Sequence, residues 1–267
     1  MAGKSSLPPP HLKVAGASKR FGAIEALKDV DFEVRRGEVM ALVGDNGAGK
    51  STLIKSLAGA YRIDDGQIFL DGKEVMIGSP LDAAAIGIQI VYQDLALCEN
   101  LDVSSNLYLG HEPVLGGWAK LLPKALRPLD ELKMEKKALE AIDRLQVRTL
   151  ASVRSKVGTL SGGQRQAVAI ARAVGTDSTI VLLDEPTAAL GVAQTKQVLD
   201  VVKHLRDNDH AVVYISHNLS DVFEVSDRIT VLRHGANVAV FETSNTNPDE
   251  IVAAVTRGAS RDKVVAG

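Results

Sequence analysis

Gly44-Asp-Asn-Gly-Ala-Gly-Lys50-Ser51 follows directly on the apolar run Val39 to Val43 and opens a helical pattern from Lys50 to Ala58. Strand, glycine-rich loop, helix is the context in which this spacing specifies a phosphate-binding loop. The glycines at 44, 47 and 49 let backbone amides converge on phosphate oxygens, and a helix beginning at Lys50 adds about half a positive charge at its amino end. The candidate nucleotide contacts are therefore Gly44, Asp45, Asn46, Gly47, Ala48, Gly49, Lys50, Ser51 and Thr52. Lys50 is expected to neutralise the β and γ phosphates, and the Ser51 hydroxyl to ligate Mg2+.

Outward from this loop, short apolar runs bounded by turns predict strands over Val30–Val34, Gln67–Leu70, Ile88–Tyr92, Thr179–Leu183, Val212–Ser216 and Ile229–Leu232, besides Val39–Val43. Helical patterns over Leu132–Leu145, Gly163–Val174, Ala193–Arg206 and Leu219–Val225 lie among them, which indicates an α/β layered fold. The runs Val39–Val43 and Ile180–Leu183 lack polar alternation, as strands covered on both faces do. Between Gln93 and Ser161 helical texture takes over, with Gly116, Gly117, Trp118, Pro123 and Pro128 marking a loop or hairpin. This reads as a helical subdomain of about residues 94–175 inserted into one domain spanning 12–247. Residues 1–11 read as a disordered lead-in with neither signal peptide nor anchor, and 248–267 as a short tail with a helical pattern over Asp249–Val255. No repeat recurs at a period of about 20 to 50 residues.

The chain has 267 residues, enough to bury a core without disulfides, and a single cysteine, Cys98, reads as a packed, inert thiol. Its 31 basic and 33 acidic residues nearly cancel, which speaks against a nucleic-acid partner. No stretch approaches the roughly 18 apolar residues of a membrane helix, so any membrane role requires a spanning partner.

Two further motifs concern phosphate chemistry. Asp184 closes the apolar run Val181-Leu-Leu-Asp184, at the strand end where α/β sheets bind ligands, and is suited to hold the metal. Glu185 follows it, placed to orient or deprotonate the water that attacks the γ phosphate. Leu160-Ser-Gly-Gly-Gln164 precedes a second helix whose start, Ser161, Gly162, Gly163 and Gln164, is another amide-rich phosphate site. Two such sites for one nucleotide suggest that they belong to different subunits. An Asn-Lys-x-Asp guanine-reading motif is absent from the sequence, which disfavours GTP.

Taken in this order, the three motifs resemble the ATP-binding cassette family, from about Leu12 to about Phe241. The resemblance implies a P-loop NTPase (RecA-like) core, an antiparallel β subdomain and the inserted α-helical subdomain. It implies that two cassettes face head to tail, with each ATP between the phosphate loop of one and the signature Ser161–Gln164 of the other. Gln93 matches the family's glutamine that contacts Mg2+ and the attacking water; His217 matches the switch histidine that reaches the γ phosphate; Phe21 lies where the family stacks a ring on adenine. One departure stands out: Ala188-Ala189-Leu190-Gly191 replaces the usual Ser-Ala-Leu-Asp, which removes a carboxylate and puts the coupling between the two sites in doubt.

Glu185-Pro-Thr-Ala-Ala-Leu-Gly-Val192, with Val91-Tyr-Gln-Asp-Leu-Ala-Leu97 and Asn100 to Gly110, is similar to the ribose- and fructose-type monosaccharide importers, most of all to single-cassette fructose-import ATPases. That likeness implies an ATPase energising sugar uptake, working as a homodimer with integral-membrane permease subunits and a periplasmic sugar-binding protein, on the cytoplasmic face of the inner membrane. A soluble cassette ATPase acting on DNA or ribosomes is the competing class; such proteins carry a long coiled-coil insertion or two cassettes with a charged linker, and this sequence has neither. A low-turnover nucleotide sensor is a third reading, for which Gly191 is the one argument.

Overall fold

The computed structural model describes residues 9–116, 122–123, 126–147, 150, 152–175 and 178–257. Its centre is a six-stranded sheet built from β3 (Glu38–Val43), β6 (Ile88–Val91), β7 (Ile180–Asp184), β8 (Ala211–Ile215), β9 (Arg228–Arg233) and β10 (Ala236–Glu242). The order is β10-β9-β3-β8-β7-β6, parallel throughout except for the antiparallel edge strand β10. Every residue of β3 and of β8 is buried, which is why these runs carry no polar alternation.

The two faces of the sheet are covered differently. Met40, Leu42, Leu182, Val213 and Ile215 pack against helix α1 (Lys50–Leu57) and a second, four-stranded antiparallel sheet. That sheet has the order β2-β1-β4-β5, from β1 (Leu12–Phe21), β2 (Ile24–Val34), β4 (Asp65–Leu70) and β5 (Lys73–Val75). Val39, Ala41, Val43, Leu183, Val212 and Tyr214 face the other way, onto the helical side of the molecule. A short helix α2 (Pro80–Ala85), capped by the Ser79 side chain, leads into β6.

The segment expected to be a helical subdomain contains α3 (Val103–Tyr108), α4 (Glu131–Arg144), a 3₁₀ turn over Val157–Thr159, and α5 (Gly162–Val174). An isolated antiparallel bridge joins Val114 to Leu129, on either side of much of the stretch expected to be a loop or hairpin; Gly117 and Trp118 lie outside the described residues. α6 (Val192–Asp207) and α7 (Leu219–Val225) complete the helical face. α8 (Pro248–Arg257) covers the expected tail helix and docks through Ile251 and Ala254 into the same core.

His11 departs from the expectation of a lead-in running to residue 11. It is buried, with Nδ1 2.7 Å from the Asp71 carboxylate and Nε2 2.8 Å from the Thr179 hydroxyl, and so ties the start of β1 to the start of β7. A helix long and apolar enough to cross a membrane is absent among the described residues.

Candidate functional site

The parallel strands deliver the candidate residues at their carboxyl ends, one strand after the next. Gly44 follows β3, His217 follows β8 by two residues, Asp184 ends β7, and Gln93 follows β6 by two residues. These strands neighbour one another in the order β3, β8, β7, β6, so four separate stretches of sequence are brought to one edge of one sheet.

The loop from Gly44 to Gly49 is held in shape by contacts with the rest of the chain. Gly44 has φ 151°, and a Cβ there would lie 2.2 Å from the Leu232 carbonyl oxygen. Gly49 has φ 102°, and a Cβ there would lie 2.8 Å from the Ala26 carbonyl oxygen. Only glycine satisfies both the left-handed backbone and the close approach of a second chain segment. The Ala48 amide donates to the Asp45 carbonyl at 3.0 Å, and the Gly235 amide donates to the Ala48 carbonyl at 3.1 Å, which pins the loop to the β9–β10 turn. Asp45, Asn46, Gly47 and Ser51 are exposed, Thr52 half-buried and Ala48 buried.

Lys50, the first residue of α1, folds its side chain back over the loop and donates to the carbonyl oxygens of Gly44 at 2.6 Å and Asp45 at 3.0 Å. Burial lowers its pKa, and the nearby carboxylates of Glu185, Asp45 and Asp184 oppose that shift. Asp184 is pushed the other way: burial raises its pKa, the Glu185 carboxylate raises it further, and Lys55 and Lys50 counteract both. The pair is thus a desolvated cation and a desolvated acid whose charges are incompletely compensated.

Glu185 sits in the left-handed region at φ 49°, with its amide donating to the Ile215 carbonyl of β8 at 3.0 Å. A non-glycine residue there stores strain, and such strain clusters at functional sites. Its carboxylate meets His217, Nδ1 to Oε1, at 3.2 Å, although His217 is largely exposed.

Ser161 caps α5: its hydroxyl accepts from the Gln164 amide at 3.3 Å while the Gln164 side-chain oxygen accepts from the Ser161 amide at 2.9 Å, a reciprocal capping box. The glycines beside it also have a packing reason. A Cβ on Gly162 would come within 2.7 Å of the Leu190 side chain, and one on Gly163 within 3.1 Å of Gln194 and Gln197, so glycine lets the amino end of α5 approach α6. A cleft brings Gln93, Gly162, Gln166 and the turn Ala188–Leu190 together; it contains none of Gly44–Thr52. A Cβ on Gly191 would meet no atom within 4 Å, so packing does not demand the glycine that departs from the family pattern.

Phe21 is 41% exposed at the tip of the β1–β2 hairpin, which rules out a core role. It packs edge-on against Tyr61 with ring centroids 5.1 Å apart, and the Lys19 ammonium lies 5.6 Å from its ring centre. Tyr61 carried no sequence signal. Cys98, in the loop after Gln93, is half-buried.

Fold and phosphate loop together define a P-loop nucleotide triphosphatase core with a β and a helical subdomain. The family model for "ABC transporter" matches residues 27–188. The chain is 42% identical over 247 residues, 92% of its length and 94% of the relative's, to the fructose import ATP-binding protein FrcA of Rhizobium meliloti. It is 41% identical over 245 residues to the xylose/arabinose import ATP-binding protein XylG of Sulfolobus acidocaldarius, covering 92% of this chain and 93% of that one. With a ribose import ATP-binding protein, RbsA 2 of Escherichia coli O157:H7, it shares 42% identity over 91% of its own length but 46% of that protein's. Among solved structures, a nucleotide-free ATP-binding cassette from an ABC transporter superposes with TM-score 0.76 at 28% identity, covering 88% of this chain and 92% of that one. The ADP conformation of another such cassette gives 0.77 at 27% identity, covering 93% and 96%. The chain belongs to the ABC transporter family.

Proposed function

We propose that the chain is the ATP-hydrolysing subunit of an importer for a monosaccharide, fructose or a related sugar, working as a homodimer beneath a separate permease. The observation that carries the reading is the arrival of the phosphate loop, Asp184, Glu185, His217 and Gln93 at one sheet edge from four neighbouring strands. Relatives that match nearly end to end are named as sugar-import ATP-binding proteins.

In this reading bound MgATP supplies the phosphoanhydride to be cleaved and the metal charge that neutralises it. The amides of Gly44–Thr52 cradle the phosphates, and Lys50 exchanges its two loop carbonyls for phosphate oxygens. The Ser51 hydroxyl and the Asp184 carboxylate are hard oxygen donors that suit Mg2+, with Gln93 as a further oxygen ligand. Glu185 orients the attacking water and accepts its proton, while His217 holds the γ phosphate and Glu185 together. Phe21 stacks on adenine. Ser161–Gln164 of the second copy closes over the nucleotide, which accounts for a cleft at Gly162 that contains no part of the phosphate loop.

A separate apolar cleft beside β6, lined by Leu81, Tyr92, Leu107, Tyr108, His111 and Arg172, is suited to a helix of the permease and would place this chain peripherally on the cytoplasmic face. Uptake would also draw on a periplasmic sugar-binding protein through the complex.

The test is a pair of variants on the full chain. Glu185→Gln is expected to bind ATP normally, lose turnover about a hundredfold or more and accumulate an ATP-dependent dimer; unchanged turnover removes Glu185 from the catalytic role. Lys50→Ala is expected to lose ATP affinity, and an unchanged affinity refutes the cradle. Cross-linking from residues 93–110 in native membranes should yield a polytopic permease, and links to ribosomal or DNA-bound proteins alone would overturn the transport reading.

A further inference from the structure

Behind the Glu185–His217 contact lies a buried polar cluster that the mechanism above does not use. Asp221, in the first turn of α7, is 6% exposed and accepts two hydrogen bonds. Its Oδ2 takes the Thr187 hydroxyl at 2.7 Å, and its Oδ1 takes the Asn218 side-chain amide at 3.0 Å. Thr187 is 8% exposed and its hydroxyl also lies 3.3 Å from the phenol of the fully buried Tyr214. Burial raises the Tyr214 pKa, so the phenol stays neutral and keeps its proton for donation.

The sequence positions of these partners give the cluster its meaning. Thr187 is two residues after Glu185; Asn218 is the residue after His217. One carboxylate therefore holds both backbone turns that carry the contacting pair. The Asn218 amide donates to the Ser216 hydroxyl at 3.0 Å, and the Asn218 side-chain oxygen accepts from the Ser220 amide at 3.1 Å, so the second turn is fixed at both ends. Glu185 needs such a fixture because its φ of 49° is a conformation the residue does not favour by itself. His217 needs it because its own side chain is largely in solvent.

We infer that Asp221 and Thr187 are positioning residues for hydrolysis, which set Glu185 against His217 by clamping their two turns together. The inference rests on the hydrolytic role assigned to Glu185. Misplacing a catalytic group by about 1 Å costs up to roughly a hundredfold in rate, whereas nucleotide contacts made by the phosphate loop lie on other elements and are left alone. The clamp is thus expected to act on kcat and not on the ATP KM.

The experiment measures ATP turnover, ATP affinity and thermal midpoint of the full chain for Thr187→Val, Thr187→Ser and Asp221→Asn. Thr187→Val, which keeps the shape and loses the hydroxyl, should lower kcat about tenfold at unchanged KM. Thr187→Ser restores the hydroxyl and should return kcat to within about twofold of the parent. Asp221→Asn, which keeps the size but accepts from one donor in place of two, should lower kcat several-fold with ATP affinity intact. Should Thr187→Val lose its folded transition, the split between kcat and KM in Asp221→Asn decides. Parental kcat in both Thr187→Val and Asp221→Asn, or equal losses in the serine and valine variants, overturns the inference and leaves the ATPase reading standing. Turnover in the parent that does not depend on Glu185 overturns that reading itself.

Discussion

Asp184 shows what burial does to a carboxyl group at a strand end. Its carboxyl is held above the ordinary value of 3.8, chiefly by burial and then by Glu185. The folded chain accordingly binds that proton more tightly than the unfolded chain does. The stability it contributes is present in full below pH 3.8 and is lost as the pH rises through the raised folded value. At neutral pH a neutral isostere should therefore be better tolerated. Asp184→Asn is expected to melt about 2–4 °C above the parent at pH 7 without nucleotide, corresponding to a change on the order of 1 kcal/mol, with the gain disappearing near pH 4. Thermal melts at both pH values check this, and a gain that persists under acid would contradict the assigned cause. At the same scale the sequence was informative where backbone demands are local: Gly44 and Gly49 were readable because only glycine tolerates their φ and the carbonyl oxygens that crowd them. Thr187, Tyr214 and Asp221 were not readable, because a threonine, a tyrosine and an aspartate separated by up to 34 positions carry no signal until the chain brings them together.

Between residues and the whole molecule, α5 is the element with most consequences. Its amino end carries Ser161–Gln164, and its far end carries Arg172, whose guanidinium donates to the carbonyl oxygens of Ala96 at 2.9 Å and Leu95 at 3.0 Å. Arg165, one heptad earlier, reaches Glu99 at 3.0 Å. Helix and loop are thus fastened at two levels, and the loop begins at Gln93. Arg172→Ala should cost about 1–2 kcal/mol and raise hydrogen–deuterium exchange across residues 94–99, while Arg172→Lys should restore protection only in part, because an ammonium presents its donors from one atom at the end of a flexible stem and lacks the planar fork that meets both carbonyls at once. Unchanged exchange in the alanine variant would show that the loop is held by other means. Elements differed in legibility for a physical reason. β3, β7 and β8 are apolar on both faces and stand out in sequence. β1 and β10 do not, since each keeps many half-buried or exposed positions and short or polar side chains; the apolar runs Val30–Val34 and Gln67–Leu70 marked parts of β2 and β4, but that they join an antiparallel sheet came from family resemblance.

At the scale of the molecule the parallel sheet is one object with two differently covered faces, and both coverings are needed. The helical side is closed at its far end by α8, with Ile251 fully buried against the core. Ile251→Ala should cost about 2–5 kcal/mol, lowering the melting midpoint by several degrees, and ATP binding at saturating concentration should recover part of the loss. A midpoint equal to that of the parent would mean that α8 rests on the surface without contributing to the fold. The other side is closed by the antiparallel sheet, and His11 rivets its first strand to Thr179 at the head of β7.

Among the described residues β6 is the last strand of the six-stranded sheet, four residues long and paired on one side only, and the apolar cleft lies against it. β3, β8 and β7, which carry the phosphate loop, His217 and Asp184, are interior. Gln93, by contrast, follows the edge strand β6 directly after Tyr92, which lines the cleft. A push on that rim would therefore travel along the chain to Gln93 across one peptide link, and to the interior strands only by way of β7.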